Sequence, residues 1–305
     1  MKNLQIPIVS IRRLTIHDGP GIRDTVFVKG CPLHCIWCHN PESVSAHPQL
    51  LYHEMLCSNC GECVRHCPQN VHSFDINGKH LLARAKCLSC GKCAENCLSD
   101  ALELCGKMMS VDDVLSCVLR DRDFFSPEGG VTVSGGEPAL YPEFVSTLFK
   151  RLKENGIHTA LDTCGAVDFE NFKEILPYTD LVLFDLKGMD VKRHREHTGK
   201  DNLQIHDNLK KISAYGTSVE IRMPIIPGFN DFAEDIEASG VLLSQIDSLC
   251  RVQLLAYHDK AKNKYAVAGM NDTLPQTASP DIARLKETAD VLLKYLPENV
   301  SVKFD

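Results

Sequence analysis

Apolar residues from about position 110 onwards fall into two kinds of segment that alternate along the chain, one typical of strands and one typical of helices. Short runs of β-branched and aliphatic residues alternate with longer segments in which the apolar residues fall on one helical face. This alternation predicts parallel strands that are joined by right-handed helical crossovers. The predicted core strands cover residues 24–29, 130–134, 158–161, 181–184, 218–223 and 251–256, and a closing strand covers 300–304.

The segments between these strands have the pattern of amphipathic helices. Asp112 and Asp113 stand in the first turn of a predicted helix at 111–120, where negative charge is favourable. Gly156 follows a predicted helix at 141–155 and is a candidate for its C-terminal cap. The other predicted helices cover residues 168–176, 201–214, 232–247 and 280–295.

A weaker alternation over residues 5–16 predicts a short leading strand ahead of the first core strand. The pattern therefore contains six core strand–helix units. Since a complete barrel of the TIM type has eight units, the chain is predicted to be an α/β protein with a partial (β/α)6 TIM-like barrel.

Composition is that of an ordinary globular protein, with 44% hydrophobic and 24% charged residues in 305 positions. The formal net charge of −7 argues against a nucleic-acid partner, because phosphate binding needs a basic surface. No apolar run approaches the roughly 20 residues that span a bilayer. The first residues lack the apolar region and cleavage site of a signal peptide. We therefore expect a cytoplasmic protein with no membrane and no nucleic-acid partner.

The chain contains fifteen cysteines, which is many for its length. In a reducing compartment, metal ligation is expected in preference to disulfide bonds. Eleven of the cysteines lie between Cys31 and Cys97, in three tight groups. The four that lie outside these groups are Cys105, Cys117, Cys164 and Cys250.

The first group, Cys31, Cys35 and Cys38, has the spacing C-x3-C-x2-C in the loop that follows the first core strand. Three thiolates at this spacing can ligate three irons of a four-iron cluster and leave the fourth iron open. An open coordination position is what distinguishes a catalytic metal site from a closed one. Three structural cysteines or a zinc loop are the alternatives, although a structural zinc site usually has a fourth protein ligand.

The other two groups lie in a segment of different composition, from about residue 51 to 106. Each has the spacing C-x2-C-x2-C-x3-C of bacterial ferredoxins, in which the fourth cysteine of each run ligates the other cluster. The spacing assigns one four-iron cluster to Cys57, Cys60, Cys63 and Cys97. It assigns a second cluster to Cys67, Cys87, Cys90 and Cys93. Zinc is the alternative, and Leu98 stands where a proline usually follows the second run.

A glycine-rich turn, residues 134–138 (SGGEP), follows the second predicted core strand. In a barrel the chemistry gathers at this carboxyl end of the strands. Gly135 and Gly136 allow close backbone approach to a ligand, and Glu137 can accept hydrogen bonds from an ammonium group. The alternative is a glycine turn that is capped by an acid.

Other predicted strand ends also carry charged residues. Asp185 and Lys187 are two positions apart, so they point to the same side of an extended strand; a surface ion pair is the alternative. Asp162 and Thr163 follow another strand, where an acid is often a helix cap. Arg222 is placed to meet a carboxylate or an extended peptide, with a structural salt bridge as its alternative.

The cluster loop, with Trp37 directly before its third cysteine, resembles that of the radical S-adenosylmethionine (SAM) enzymes. Its flanks, residues 18–23 (DGPGIR), 30–31 (GC) and 38–42 (CHNPE), are similar to the activating enzymes of glycyl radical enzymes. This is the family of the pyruvate formate-lyase activating enzyme, here in the form with a two-cluster ferredoxin-like insert. Residues 257–258 (YH) also match the family, and the resemblance extends over nearly the whole chain.

The resemblance implies a radical SAM partial barrel formed by residues 1–50 and 107–305. It implies a bacterial ferredoxin-like insert at 51–106 with two 4Fe-4S clusters. The implied cofactors are three 4Fe-4S clusters, SAM and a monovalent cation. In the family, the GGEP glutamate binds the methionyl amine of SAM and the YH histidine packs near its adenine.

Candidate site residues follow from the matched motifs. The residues implied to hold SAM or the neighbouring cation are Trp37, Cys38, His39, Gly135, Gly136, Glu137, Asp162, Thr163, Asp185, Leu186, Lys187 and His258. Asp185 and Lys187 are implied to contact both SAM and the partner's glycyl loop. With Arg222 they are the candidate catalytic residues.

The activity implied by the resemblance is reductive cleavage of SAM to a 5′-deoxyadenosyl radical, which removes a hydrogen atom from a glycine Cα of a partner glycyl radical enzyme. The electron donor is expected to be a flavodoxin or a ferredoxin-type protein, and the insert either relays electrons or docks the partner. One alternative is a radical SAM enzyme that acts on another peptide or a small molecule. A ferredoxin-like electron carrier is another, but it leaves the barrel without a role. No motif includes His53, His80 or His206, and these are expected at the surface.

Overall fold

Residues 4–125 and 127–304 are described by a computed structural model of the protein, so positions 1–3, 126 and 305 of the predicted barrel lie outside the described residues. The strands are β1 (Gln5–Thr15), β2 (Arg23–Val28), β3 (Gln49–Tyr52), β4 (His72–Phe74), β5 (His80–Leu82), β6 (Leu102–Cys105), β7 (Lys107–Ser110), β8 (Gly130–Gly135), β9 (His158–Thr163), β10 (Leu181–Asp185), β11 (Ser218–Ile225), β12 (Leu249–Ala256) and β13 (Ser301–Phe304). The α-helices are α1 (Glu62–His66), α2 (Lys92–Glu95), α3 (Val111–Val118), α4 (Pro142–Glu154), α5 (Phe169–Ile175), α6 (Val191–Thr198), α7 (Leu203–Tyr215), α8 (Ala233–Leu243), α9 (Lys262–Ala268) and α10 (Ile282–Leu292).

One nine-stranded sheet, in the order β13-β12-β11-β10-β9-β8-β2-β1-β7, carries the fold. Neighbours from β2 to β13 are parallel, whereas β1 is antiparallel to both β2 and β7. In the described residues the two edge strands do not pair with each other, so the barrel is open. The α/β fold with six core units, a leading strand and a closing strand is therefore confirmed.

Burial on both faces explains why the central strands are continuously apolar in sequence. Every residue of β2 is buried, including the charged Arg23 and Asp24. The guanidinium of Arg23 donates to Thr132 Oγ1 at 2.7 Å and to the carbonyl oxygens of Pro20 and Val131 at 3.1 and 3.0 Å. A buried charge must have such partners, and these bonds tie the loop before β2 to the sheet.

Outside the cysteine-rich segment, two of the described helices, α6 and α9, have no helical period in the sequence that predicted them. Helix α6 has almost no apolar residues, and the residues it buries include His194 and Thr198, so it lacks an amphipathic pattern. Only the two capping residues in the sequence could indicate this helix. Asp190 accepts from the Arg193 amide at its start, and Gly199 adopts φ +85° at its end. Helix α9 is short and lies in a loop-like stretch after β12.

The cysteine-rich segment leaves and re-enters the barrel through one antiparallel ladder, in which β3 pairs with β6. Between these strands lie the β4–β5 hairpin and the short helices α1 and α2. Arg84 fastens the segment to the barrel, since its guanidinium donates to the carbonyl oxygen of Val267 in α9 at 2.8 Å. Among the described residues, no helix has the length and apolar character that crossing a bilayer requires.

Candidate active site

A cavity of about 490 Å³ opens where the carboxyl-terminal parts of β8 to β12 meet the loop after β2. Parallel strands place these ends on the same edge of the sheet, as in other βα barrels. The cavity brings together most of the residues that the sequence singles out. Those that line it are Cys31, Cys35, Trp37, Cys38, His39, Gly135, Gly136, Asp162, Thr163, Asp185, Lys187, Arg222 and His258.

The loop with the first three cysteines is held from both sides by backbone hydrogen bonds. The amide of Cys31 donates to Val44 O at 2.9 Å, and the amide of His34 donates to Thr198 O at 2.7 Å. A Cβ at Gly136 would lie 2.0 Å from the carbonyl oxygen of Gly30, so the glycine turn packs directly on this loop. The sequence GGE thus serves backbone packing beside the cysteines.

Burial raises the pKa of Cys35 to about 12 and that of Cys38 to about 11. Without a metal, both thiols therefore stay protonated, whereas binding to a metal favours the thiolate. A fourth thiol, Cys164, is buried, lines the same cavity and interacts with Cys31. Cys164 belongs to none of the three cysteine groups in the sequence, although it directly follows Thr163 at a strand end.

The cavity wall carries two ion pairs, each formed by one cation and one carboxylate. Lys187 Nζ lies 2.7 Å from Asp185 Oδ2, and Arg222 Nη1 lies 3.4 Å from Asp162 Oδ2. Ser134 Oγ donates to the same Asp162 oxygen at 2.6 Å. Burial raises the pKa of Asp162 to about 7, although Arg222 opposes the shift. The wall therefore offers positive charge for an anionic group beside oxygen atoms that suit a cation.

Glu137 and Leu186, two of the predicted SAM-binding residues, are buried behind this wall and do not line the cavity. The Thr163 hydroxyl donates to both Glu137 carboxylate oxygens at 2.8 Å. The amides of Ala139 and Cys164 also donate to the carboxylate, at 2.9 and 2.8 Å. Burial nevertheless raises the pKa of Glu137.

Two histidines form a stacked pair at the cavity rim. The rings of His39 and His258 lie 4.2 Å apart between centroids with an angle of 20° between their planes. His39 Nε2 lies 3.0 Å from the carbonyl oxygen of His258. Burial lowers the pKa of both rings, so both are neutral near pH 7. The pair presents a flat, uncharged surface of the kind that an aromatic ring can stack on.

Helix α9 clamps the chain directly after the third cysteine. Lys264 Nζ donates to His39 O, Asn40 Oδ1 and Glu42 Oε1 at 2.8, 2.8 and 2.9 Å. Tyr265 Oη donates to the carbonyl oxygen of Cys38 at 3.0 Å. Nothing in the local sequence indicated these residues, because their partners lie more than 200 positions away in the chain.

The cysteine-rich segment contains two further small cavities, each lined by four cysteines. The first cavity is lined by Cys57, Cys60, Cys63 and Cys97. The second is lined by Cys67, Cys87, Cys90 and Cys93. Each set combines three cysteines of one run with the fourth of the other, which is the crossed arrangement that ferredoxin spacing predicts.

The expectation that the histidines outside the motifs lie at the surface is wrong for His80, which is 4% exposed. His80 packs against His72 inside the cysteine-rich segment. His53 is partly exposed and pairs with Glu103 at 3.6 Å. His206 is partly buried, and burial lowers its pKa to about 4. Spacing alone did not reveal His80, because its neighbours come from the paired strand β4.

The chain is similar to known proteins over most of its length. A family model described as the radical SAM superfamily matches residues 25–239. The chain is 41% identical over 262 residues to the trans-4-hydroxy-L-proline dehydratase activating enzyme of Clostridioides difficile, covering 85% of this chain and 86% of the relative. It is 36% identical over 306 residues to the indoleacetate decarboxylase activating enzyme of Tractidigestivibacter scatoligenes, covering 96% of this chain and 97% of the relative.

Solved structures show the same fold at lower identity. A radical SAM methyltransferase from Sphaerobacter thermophilus aligns with a TM-score of 0.52 and 14% identity. The alignment covers 92% of this chain and 66% of that structure.

Proposed function

The chain belongs to the radical SAM superfamily and, within it, to the activating enzymes, and from that premise we propose how its residues carry out the reaction. The enzyme is an oxidoreductase that reductively cleaves SAM to a 5′-deoxyadenosyl radical. The radical removes a hydrogen atom from a glycine Cα of a partner glycyl radical enzyme. The observation that carries this proposal is the single cavity that joins three loop cysteines to the charged strand ends.

The residues at the cavity fit a cluster with one open iron. Cys31, Cys35 and Cys38 are the three thiols of one loop that reach the cavity, and all three are half-buried at its wall. A four-iron cluster held by these thiols would supply the electron that SAM cleavage requires. Cys164 is the adjacent thiol, but its neighbours Glu137 and Thr163 fix it in the wall.

SAM binding is assigned to the walls around these cysteines. Lys187 and Arg222 supply the positive charge that orients a carboxylate. Asp162, which Arg222 and Ser134 hold in place, supplies an oxygen for a monovalent cation. The stacked rings of His39 and His258 form the adenine platform.

Lys187 has a second role toward the protein substrate. Its ammonium is held at 2.7 Å by Asp185. Burial lowers the pKa of Lys187, but Asp185 together with the nearby sulfurs of Cys35 and Cys164 raises it well above its ordinary value. It therefore stays charged and donates hydrogen bonds to the backbone carbonyls of a peptide that enters the cavity. This contact positions a glycine Cα without moving a proton.

Residues 51–106 form, in our proposal, a bacterial ferredoxin-like domain with two 4Fe-4S clusters, between barrel segments 1–50 and 107–305. The crossed grouping of the eight cysteines around two cavities supports it. With both clusters bound, this domain would relay electrons from a flavodoxin or ferredoxin-type protein toward the cavity. Cysteine thiolates in three clusters also require a reducing compartment, which favours the cytoplasm.

Glycyl radical formation is the decisive assay. Anaerobically reconstituted enzyme is mixed with SAM, a reductant and a glycyl radical enzyme from the same genome. Electron paramagnetic resonance (EPR) should detect a glycyl radical, together with one 5′-deoxyadenosine per radical, and the Cys31→Ala variant should produce neither. Deoxyadenosine that forms with no radical in any glycyl radical enzyme would support action on a different peptide or a small molecule.

A further inference from the structure

Two buried histidines lie between the two cysteine-lined cavities of the insert. His72 in β4 lines the cavity of Cys67, and His80 in β5 lines the cavity of Cys63. Both residues are 4% exposed, and their rings stack with centroids 5.1 Å apart. His72 Nδ1 lies 2.9 Å from His80 Nε2. One hydrogen bond therefore joins the walls of the two cavities.

The same nitrogen of His80 also faces a cysteine of the first cavity. His80 Nε2 lies 3.6 Å from Cys63 Sγ. The other ring nitrogen, Nδ1, is buried and has no hydrogen-bond partner among the described residues. Tyr52 and Phe74 pack on the ring, with centroids at 4.7 and 5.2 Å. The ring is thus fixed with one nitrogen toward both Cys63 and His72.

The chemistry of a ligating thiolate decides which atom carries the proton. A thiolate accepts hydrogen bonds and repels a nitrogen lone pair, so His80 Nε2 must be protonated when Cys63 is a cluster ligand. His72 Nδ1, only 2.9 Å away, must then be an acceptor. The single N–H of His80 is therefore shared between Cys63 Sγ and His72 Nδ1.

We propose that His80 raises the reduction potential of the cluster held by Cys63, and that His72 restrains this effect by competing for the same N–H. The inference rests on the proposed function, because it requires that the insert holds two clusters. One electron enters the cluster in the reduction and no bond to the protein breaks. Hydrogen bonds to ligating sulfurs stabilise the reduced cluster, which carries more negative charge. The pair thereby sets how readily this cluster accepts an electron.

The test is an EPR-monitored redox titration of the full chain in which Cys31, Cys35 and Cys38 are replaced by alanine, so that only the insert clusters respond. His80→Phe should lower one cluster potential by about 59 mV or more, a tenfold change in the one-electron reduction equilibrium. His80→Gln keeps an N–H donor in its side-chain amide, so its cluster potential should stay closer to that of the parent than the potential of His80→Phe does. His53→Phe is the matched control in the same segment and should shift neither cluster.

His72→Phe distinguishes the proposal from a general loss of packing. Removing the competing acceptor leaves the His80 N–H to Cys63 alone, so the potential should rise, opposite to the effect of His80→Phe. The double variant should match His80→Phe. A fall in His72→Phe, or an unchanged potential in His80→Phe, would overturn the inference. The parent should contain about eight irons in this background.

If the insert were found to contain no iron, both this inference and the two-cluster proposal would be refuted. The activating function would still be decided by the glycyl radical assay on the unmodified enzyme. If His80→Phe lost its iron, the direction of the His72→Phe shift would still decide the inference.

Discussion

Thr163→Val removes the hydroxyl that holds the Glu137 carboxylate behind the cavity wall. This hydroxyl donates to both carboxylate oxygens at 2.8 Å and accepts from the Gly165 amide at 3.0 Å. Thr163 and Glu137 are 1% and 0% exposed, so solvent does not replace the lost bonds. A hydrogen bond to a buried charge contributes about 1.5–3 kcal/mol, and an unpaired buried N–H costs about 1–3 kcal/mol. We expect the variant to lose about 3 kcal/mol of folding free energy.

SAM affinity should change in the opposite direction. The Glu137 carboxylate has acceptor positions that the Thr163 hydroxyl fills, and the amine of SAM must displace that hydroxyl to be bound by Glu137. Without the competing donor, the variant should bind SAM at least about fivefold more tightly, a gain of about 1 kcal/mol. Glu137→Gln should instead weaken SAM binding at least about tenfold, because an amide nitrogen would face backbone N–H donors.

Equilibrium titration of SAM into anaerobically reconstituted enzyme measures the affinity, and urea unfolding under the same conditions measures the stability. Thr159→Val is the matched control, since Thr159 lies on the same strand and is fully buried. Its hydroxyl donates to Tyr178 O at 2.6 Å, away from the cavity. The control should lose stability without a change in SAM affinity. If Thr163→Val bound SAM as weakly as Glu137→Gln, Glu137 would hold the wall in place and would not bind SAM.

Three further predictions concern other parts of the chain. Lys264→Met removes three hydrogen bonds to the segment after Cys38, so air should bleach the visible absorption of the radical SAM cluster faster than in the parent; an unchanged rate would refute the clamp. Cys67→Ser and Cys90→Ser should each remove the EPR signal of the same cluster, because these cysteines line one cavity; loss of different signals would refute the crossed pairing. Burial lowers the pKa of His206 to about 4, so the unfolded chain, with a pKa of about 6.5, takes up the proton first as the pH falls. The stability that neutral His206 contributes above pH 6.5 should therefore be lost toward pH 4, and a urea-unfolding series should show a shallower pH dependence for His206→Leu.

The sequence by itself determined the features that depend on short stretches of chain. Short β-branched and aliphatic runs separated by segments of helical period predicted the parallel strands, because both patterns are set within a few neighbouring residues. The C-x3-C-x2-C loop predicted a three-thiol site because covalent spacing limits which thiols can converge. The strand-end positions of Asp162, Asp185 and Arg222 predicted a shared cavity, since parallel strands present their carboxyl ends on one edge.

Burial and hydrogen-bond partners of the individual side chains were decided only by the tertiary structure. Glu137 is predicted to accept hydrogen bonds from the amine of SAM, and only the structure shows that Thr163 and Cys164, at the end of the next strand, already donate to its carboxylate. His80 was predicted to lie at the surface, but the hairpin places it against His72 and Cys63. No local pattern encodes these contacts, because hydrogen-bond partners and burial depend on which distant segments the fold brings together.

The clamp on the cluster loop is the clearest case. Lys264 and Glu42 are 222 positions apart in the chain and 2.9 Å apart in the structure. A lysine in a short helix is ordinarily a solvated residue, and only the packing of α9 on the cysteine loop lets Lys264 donate hydrogen bonds to that loop. Periodicity and spacing therefore set the framework of the fold and its thiol sites, whereas the polar contacts that hold those sites come from packing between segments far apart in sequence.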